Sequence, residues 1–324
     1  MKKRKILTII GIALGLILVI GIVGTCYYTG VAVFSNSMQL VDNDSTSFEK
    51  AEDFFNKIGF DLEGFKSRYN IETVQIESSF DVHMIPFDHI TVDGYKNKDT
   101  IIMVHGLGGN RWTNYPIADM FLKNGYNVIS YDQRSSGENT APYTTFGYLE
   151  SYDLGDCVSY LIDNISPDKK IGIWGTSFGG ATAGIYLGSD KANEHVDFAI
   201  LDCPISNMSY MLSTEMEGMN TGIPIDFLMS MGNLATKMKL GFSYEDADVC
   251  KHIEKTNVPV LVINTKIDKV TPYFMGVDIF NSVTHDNKKI FTVEDSPHAE
   301  IFFDYPDEYE KNIIDFINEF AADR

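Results

Sequence analysis

The sequence predicts an α/β protein built on a mostly parallel, doubly wound sheet, and three observations support this. Short β-branched runs alternate with amphipathic helical patterns from residue 71 onward. Several of these runs are apolar on both faces, as parallel strands are when helices cover both sides of a sheet. The chain has 324 residues, of which 44% are hydrophobic, so it can bury a large core.

The predicted elements follow in order along the chain. The runs ETVQIESSF and VHMIPFDHITV predict an antiparallel opening pair of strands. Six buried strands are predicted after them, which makes eight in all, at 100–105, 127–132, 170–175, 197–202, 258–264 and 289–294. Amphipathic helices are predicted between the strands, at 112–124, 147–164, 178–188, 273–283 and 307–321. Each helix would cover one face of the sheet.

Residues 1–33 predict a cytoplasmic tip and a transmembrane anchor. MKKRK precedes residues 6–24, an uncharged apolar run long enough to cross a bilayer as a helix. The basic cluster favours a cytoplasmic N-terminus, which would leave the rest of the chain outside the cytoplasm. Two alternatives remain open: a cleaved signal peptide, or a lipoprotein signal ending at Cys26, where Thr25 departs from the usual small residue.

The remainder divides into a stalk and one domain. Residues 34–70 are polar, with a helical patch near Phe48–Gly59, and predict a juxtamembrane stalk with a short helix. Residues 71–324 form the α/β domain, interrupted at about 205–250 by a segment without strand pattern that contains seven of the 13 methionines. We interpret this segment as a helical cap that would line a substrate pocket through three side chains: Met208, Met211 and Met229. The alternative is that these methionines are ordinary core.

Composition excludes some classes of function. The net charge of −19 would repel nucleic acid, so no nucleic-acid partner is expected. The four cysteines (Cys26, Cys157, Cys203 and Cys250) have neither disulfide-framework nor zinc-site spacing. The sequence contains no phosphate-binding loop and no His/Cys metal spacing, so we expect no cofactor and no metal.

The stretch Gly175-Thr176-Ser177-Phe178-Gly179 matches the G-x-S-x-G pattern of a nucleophile elbow. It follows a predicted buried strand and opens a predicted helix, as that turn requires. The turn is so sharp that the positions two before and two after the serine need almost no side chain. The alternative is a glycine-rich turn without a catalytic role, and the motif alone does not distinguish the two.

A serine nucleophile needs a base, and the base needs an orienting carboxylate. His298 follows the last predicted strand, and Asp268 follows the strand before it, so both lie at the carboxyl edge of the sheet with Ser177. The chain order Ser177, Asp268, His298 is that of α/β-hydrolase triads. Asp202, after the preceding strand, is the alternative acid.

The stretch HGLGGN at 105–110 follows the first buried strand and predicts an oxyanion loop. In this mechanism one backbone N–H comes from the residue after the nucleophile, here Phe178, and the other from this loop, here Leu107. A dinucleotide-binding loop would need a glycine where Arg111 stands.

Together these stretches resemble the α/β-hydrolase superfamily, in particular membrane-anchored bacterial hydrolases of the serine-aminopeptidase-like (hydrolase-4) group. The resemblance runs from about 72 to 322 and rests on HGLGGN, YDQRSSGENT, TFGYLESYDL, GTSFGG, LDCPISN, IDKVTP and SPHAE. It implies that Ser177 is the nucleophile, His298 the general base and acid, and Asp268 its orienting carboxylate. Relatives usually have glycine at the positions of Thr265 and Pro297, and often a Gly-His pair at the positions of Ser135 and Ser136.

The expected function is therefore serine hydrolysis of carboxylic esters through an acyl-enzyme, with a small-molecule ester or acyl compound as substrate. Amide or peptide hydrolysis and acyl transfer use the same three residues. A non-catalytic relative that holds a ligand at the cell surface is the alternative from another class. A broken triad would mark such a module, and here all three residues are present.

Overall fold

The computed structural model describes residues 2–165 and 169–321. The eight strands are β1 (Asn70–Glu77), β2 (Met84–Thr91), β3 (Thr100–Val104), β4 (Asn127–Tyr131), β5 (Ile171–Thr176), β6 (Phe198–Asp202), β7 (Val260–Thr265) and β8 (Lys288–Val293). They form one sheet in the order β1-β2-β4-β3-β5-β6-β7-β8. β2 pairs antiparallel with both β1 and β4, and all other pairs are parallel. The predicted mostly parallel sheet and its antiparallel opening pair are confirmed.

Helices alternate with these strands along the chain, as the sequence predicts, and further helices lie outside this alternation. In chain order the helices are α1 (Lys2–Met38), α2 (Phe48–Ile58), α3 (Leu62–Arg68), α4 (Tyr115–Lys123), α5 (Glu150–Asn164), α6 (Phe178–Leu187), α7 (Asp190–His195), α8 (Met208–Gly218), α9 (Ile225–Leu240), α10 (Val249–Ile253), α11 (Tyr273–Ser282), α12 (Ile301–Asp304) and α13 (Pro306–Phe320). Every residue of β3, β4, β6 and β7 is buried, which accounts for their unbroken apolar runs.

Two helices begin later than their apolar pattern indicates, and polar side chains explain both cases. Before α4, Asn110 caps a short 3-10 turn over Arg111–Asn114, and Pro116 then starts the α-helix. Before α5, the Glu150 carboxylate accepts backbone N–H bonds from Thr145 and Gly147, which close a turn in place of helix. The spacing of apolar residues along the chain does not reveal where a polar side chain bonds the backbone in place of a helical hydrogen bond.

The described chain comprises two compact units. One contains Met1–Gln39 together with Ser209–Asp246, and the other contains Leu40–Met208 together with Ala247–Arg324. The second unit holds the complete sheet. Helices α2 and α3, which lie in the segment expected to be a stalk, also belong to this unit.

Within the first unit, the long helix α1 has two different parts. Arg4–Met38 is long and apolar enough to span a membrane, and its side chains as far as Thr25 are exposed. Further along, α1 packs against α9 at two glycines. A Cβ on Gly30 would lie 2.9 Å from the carbonyl oxygen of Met231, and one on Gly232 would lie 2.3 Å from Cγ1 of Val33. The C-terminal third of α1 is therefore in direct backbone contact with the insert.

This contact predicts that Gly232→Val separates α1 from α9, since overpacking a close helix contact costs about 1–3 kcal/mol. Limited proteolysis of the detergent-solubilised full chain should show cleavage within 209–246 accelerated about 5- to 100-fold, because cleavage follows the open population. Gly218→Ala is the matched control, because a Cβ there has no neighbour within 4 Å. Equal cleavage rates for both variants would show that the α1–α9 contact does not hold the insert.

Candidate active site

Ser177 lies on a strained turn between β5 and α6. Its backbone has φ 54° and ψ −115°, a conformation that costs a non-glycine residue of the order of 1–3 kcal/mol. The adjoining backbones are too close for side chains: a Cβ on Gly175 would lie 2.4 Å from the carbonyl oxygen of Gly179, and one on Gly179 would lie 2.1 Å from that of Val104. The turn therefore needs glycine at both positions, as the sequence pattern indicates.

The structure brings Ser177, His298 and Asp268 together at the carboxyl edge of the sheet. Oγ of Ser177 lies 2.9 Å from Nε2 of His298, and Nδ1 of His298 lies 2.7 Å from Oδ2 of Asp268. Since an ionised carboxylate can only accept, Nδ1–H donates to Asp268, and Nε2 is left to accept the Ser177 hydroxyl. This is the geometry in which the serine proton can pass to the imidazole.

The Asp268 carboxylate is buried, and several donors hold it. Oδ1 accepts the backbone N–H groups of Val270 and Thr271, each at 2.8 Å. Burial raises the pKa of Asp268, but the hydrogen bonds from His298, Thr271 and Val270 outweigh burial and bring the pKa below its usual value. The carboxylate therefore stays ionised beside the imidazole at neutral pH.

Thr271 is a residue of this site that sequence reasoning missed. Its Oγ1 lies 3.0 Å from Oδ2 of Asp268, 3.1 Å from Nδ1 of His298 and 3.0 Å from the carbonyl oxygen of Cys203. The hydroxyl thereby links the loop after β6 to the Asp268–His298 pair. Its place in the stretch IDKVTP, three residues after the acid, is the only signal in the sequence.

Asp202, the alternative acid, has a different environment. Its Oδ2 accepts the Tyr309 hydroxyl at 2.9 Å, and its carbonyl oxygen accepts the Ser177 N–H at 2.8 Å. Burial raises the pKa of Asp202 to about 6. Since Nδ1 of His298 bonds Asp268, Asp202 is not the partner of the imidazole. Its hydrogen bonds instead hold the backbone of the Ser177 turn and the buried side chain of Tyr309.

The loop after β3 lies against Ser177. A Cβ on Gly106 would lie 3.5 Å from that of Ser177, and Leu107, the next residue, is half exposed. Phe178 is the first residue of α6, where backbone N–H groups have no partner inside the helix. Among the described residues, the N–H groups of Leu107 and Phe178 make no hydrogen bond to the protein, so both can donate to a ligand oxygen.

A buried network holds this loop, and the sequence gives little sign of it. His105 Nδ1 lies 2.8 Å from the carbonyl oxygen of Gly106, and its Nε2 accepts the backbone N–H of Gln133 at 3.0 Å. Gln133 accepts in turn from the Thr182 hydroxyl on α6 at 2.7 Å. Complete burial lowers the pKa of His105 to about 4, so the ring is neutral and fits this donor–acceptor pattern.

Thr265 and Pro297, where relatives usually have glycine, do not prevent His298 from bonding Ser177 and Asp268. Thr265, at a position where relatives usually have glycine, donates through Oγ1 to the carbonyl oxygen of Ser296 at 2.7 Å and so ties β7 to the histidine loop. Ser296 also donates to Asp304 at 2.8 Å. Pro297 follows directly, and His298 still reaches both partners.

A cavity of about 510 Å³ opens beside His298 and the loop after β3, within the size range of small-molecule sites. Helices α2, α4 and α12, strand β5, the loop after β3 and the loop that carries His298 all contribute to its lining. The larger apolar lining residues are Ala51, Phe54, Ile58, Leu107, Ile117, Trp174 and Phe303, and polar residues lie among them. The three predicted pocket methionines do not line it: Met208 is buried in the sheet-containing unit, whereas Met211 and Met229 are half buried in the other.

Cys203, Asp268 and His298 are the one group of possible metal ligands among the described residues, with donor atoms within 4.8 Å of one another. Asp268 and His298 already use those atoms to bond each other. Burial raises the pKa of the Cys203 thiol, which disfavours the thiolate that a metal would need. The donor set fits a hydrogen-bonded relay better than a metal centre.

Comparison with known proteins agrees with this architecture. A family model described as alpha/beta hydrolase fold matches residues 99–257. An esterase of Pyrococcus furiosus, Pf2001, superposes with a TM-score of 0.63 over 81% of this chain and 96% of its own, at 22% identity. The protein therefore has the α/β-hydrolase fold.

The relatives found by sequence cover less of this chain than Pf2001 does. The uncharacterized protein YqkD of Bacillus subtilis is 28% identical over 224 residues, which cover 68% of this chain and 71% of YqkD. A monoglyceride lipase of Saccharomyces cerevisiae is 26% identical over 110 residues, covering 32% of this chain and 35% of the lipase.

The lowered pKa of Asp268 predicts a pH-dependent contribution to stability. Because the folded pKa lies below that of the unfolded chain, about 3.9, the stabilisation is present above that pH and is lost as the pH falls through the folded value. Asp268→Asn should therefore lower the free energy of unfolding at pH 7 by about 1.5–3 kcal/mol. The difference from wild type should shrink as the pH falls below 4.

Denaturant unfolding at pH 7, 5 and 3 measures this difference. Asp163→Asn removes one exposed carboxylate and serves as control, with a change within about 0.5 kcal/mol at each pH. An Asp268→Asn difference that stays constant with pH would contradict the ionised, hydrogen-bonded state described for Asp268.

Proposed function

We propose that this protein is a membrane-anchored serine hydrolase that cleaves carboxylic esters through an acyl-enzyme on Ser177. The observation that carries the proposal is the continuous relay from Oγ of Ser177 to Nε2 of His298, at 2.9 Å, and from Nδ1 to Asp268, at 2.7 Å. Such a relay gives a serine the base and the oriented imidazole that nucleophilic attack requires.

In the proposed mechanism, the Ser177 hydroxyl attacks the ester carbonyl carbon while His298 takes its proton at Nε2. The negative charge that develops on the carbonyl oxygen accepts hydrogen bonds from the N–H groups of Leu107 and Phe178. His298 then gives its proton to the leaving alcohol oxygen as the C–O bond breaks. A water molecule, deprotonated by His298, then attacks the acyl carbon. The bond from this carbon to Oγ of Ser177 breaks, and His298 returns the proton to Oγ, which releases the acid and restores Ser177.

Two further considerations favour ester hydrolysis over other uses of the same residues. Superfamily members similar to this chain include proteins named as an esterase and as a monoglyceride lipase. The cavity beside His298 has an apolar surface that includes Phe54, Ile58 and Trp174, which suits an acyl or aryl group better than a peptide backbone rich in polar atoms. Peptidase and acyltransferase activities remain the closest alternatives.

Ser177→Ala should abolish labelling by a fluorophosphonate probe and lower turnover of p-nitrophenyl esters by about 10⁴-fold or more, because the attacking oxygen is gone. His298→Ala and Asp268→Asn should cause losses of about 10³- to 10⁴-fold, whereas Asp202→Asn should cost about tenfold or less. Gel fluorescence and spectrophotometric turnover measure these effects.

Ser213→Ala, at a serine that bonds only its own helix through the Tyr210 carbonyl, is the matched control and should behave as wild type. Labelling that persists in Ser177→Ala would show that another residue is the nucleophile. A wild type as inert as Ser177→Ala and His298→Ala across all acyl lengths would favour the non-catalytic binding module.

We also propose that α1 anchors the protein as a single transmembrane span, with the N-terminus in the cytoplasm and the catalytic domain outside it. The support is the exposed apolar surface of α1 between Ile6 and Val23, together with the basic residues that precede it. Thr25 before Cys26 departs from a lipoprotein signal, which favours an uncleaved anchor.

The full chain should therefore remain in the membrane pellet after an alkaline wash, and deletion of residues 2–25 should release it into the supernatant. Immunoblotting of the two fractions and the intact mass of the purified protein provide the readouts. A mature protein that begins at Cys26, or loss of the full chain from washed membranes, would overturn the anchor.

A further inference from the structure

The cavity beside His298 has one wall that belongs to neither the sheet nor the insert. This wall is helix α2, which contributes Lys50, Ala51, Phe54 and Ile58. Helix α2 precedes the first strand, in the segment whose sequence predicts only a stalk with a short helix. All of the lining residues lie within the sheet-containing unit.

Helix α2 is held firmly against the loop that carries Leu107. Asn110 on this loop donates through Nδ2 to the carbonyl oxygens of Thr46 and Ser47, at 2.9 and 3.1 Å, immediately before the helix. Phe55, on the buried face of α2, stacks on Tyr115 of α4 with ring centroids 6.4 Å apart. The wall is therefore part of the packed core and not a mobile linker.

The surface that α2 presents to the cavity is apolar. The Phe54 ring meets the Phe303 ring of α12 edge-to-face, with centroids 6.2 Å apart. Ile58 extends this surface on α2, and Ile117 of α4 and Trp174 of β5 extend it towards the sheet.

Three polar residues of the lining have partners in the protein, whereas Oγ1 of Thr176 is buried without a hydrogen-bond partner among the described residues. Asn110 bonds the residues before α2, Thr113 donates to the Asn110 carbonyl oxygen at 2.7 Å, and Asn114 donates to Ser130 at 2.9 Å. Lys50 and Glu300 are exposed and so lie at the solvent side. An apolar ligand can therefore occupy the part of the cavity next to α2 without leaving Asn110, Thr113 or Asn114 unpaired.

We propose that this α2-walled cavity binds the apolar alkyl or aryl group on one side of the scissile ester bond. The inference rests on the proposed function, because it assigns a substrate group to the site of that reaction. His298 and Leu107 both border the cavity, so a chain lying in it is next to the proposed base and one of the two proposed oxyanion donors. Phe54 and Ile58 would then set the length of chain that the enzyme accepts.

The test uses two ester series in which only one side of the bond grows. Acyl chains from acetyl to dodecanoyl are compared on p-nitrophenol, and acetate esters are compared on alcohols from methanol to dodecanol. Phe54→Trp fills the cavity and should lower kcat/KM for the long members of one series by about tenfold or more relative to its shortest member. Phe54→Ala and Ile58→Ala enlarge the cavity and should move the preferred chain length of the same series upward.

Phe80→Ala is the matched control, since this exposed phenylalanine stacks on Tyr152 and does not line the cavity; its chain-length profile should equal that of wild type. A shift in either series supports the proposal and identifies which side of the ester occupies the cavity. Unchanged profiles in both series, with fluorophosphonate labelling of Ser177 intact in each variant, would overturn the cavity assignment while leaving the hydrolase proposal standing.

Failure of the hydrolase proposal itself would look different, because wild type would then turn over no member of either series. In that case, p-nitrophenyl octyl ether, which cannot be hydrolysed, is titrated calorimetrically into wild type and Phe54→Trp. Weaker binding to Phe54→Trp would support an apolar ligand in this cavity, and equal or absent binding to both would overturn it.

Discussion

The turn at Ser177 depends on a contact between backbones that leaves no room for side chains. Gly179, at the start of α6, lies so close to the end of β3 that a Cβ would stand 2.1 Å from the Val104 oxygen and 2.6 Å from the His105 oxygen. The Ser177 N–H is held by the Asp202 oxygen at 2.8 Å. Strands β3, β5 and β6 therefore jointly fix the strained serine, and their packing offsets the cost of its backbone conformation.

The same contact fixes the loop that would hold an oxyanion. His105 is the residue against which Gly179 packs, and the loop with Gly106 and Leu107 starts from it. Neutral His105 bonds Gln133, and Gln133 bonds Thr182 on α6, so the loop and the helix share one buried network. The packing of Gly179 against His105 therefore fixes the relative position of the Leu107 and Phe178 N–H groups.

Much of this arrangement could be predicted from the sequence, because it follows local rules. Buried parallel strands have unbroken apolar runs, and loops at their carboxyl ends meet at one edge, so Ser177, Asp268 and His298 could be expected together. Thr271 and His105 could not be singled out, since a buried hydroxyl or imidazole acts through partners that only tertiary packing supplies. The same reason applies to Phe54 and Ile58: an amphipathic period reveals an apolar face but not what covers it.

Helix α2, which forms one wall of the cavity, is connected to the loop that carries the proposed oxyanion donor Leu107. Asn110 ties the residues before α2 to the loop that carries Leu107, so the wall of the cavity and the oxyanion donor share one hydrogen-bonded support. An apolar group that fills the cavity lined by Phe54 and Phe303 also removes water from the side of His298. Hydrogen bonds to a developing negative charge gain strength as the local dielectric constant falls. Binding energy from an apolar chain can in this way lower the barrier to acyl transfer, so chain length should affect kcat as well as KM.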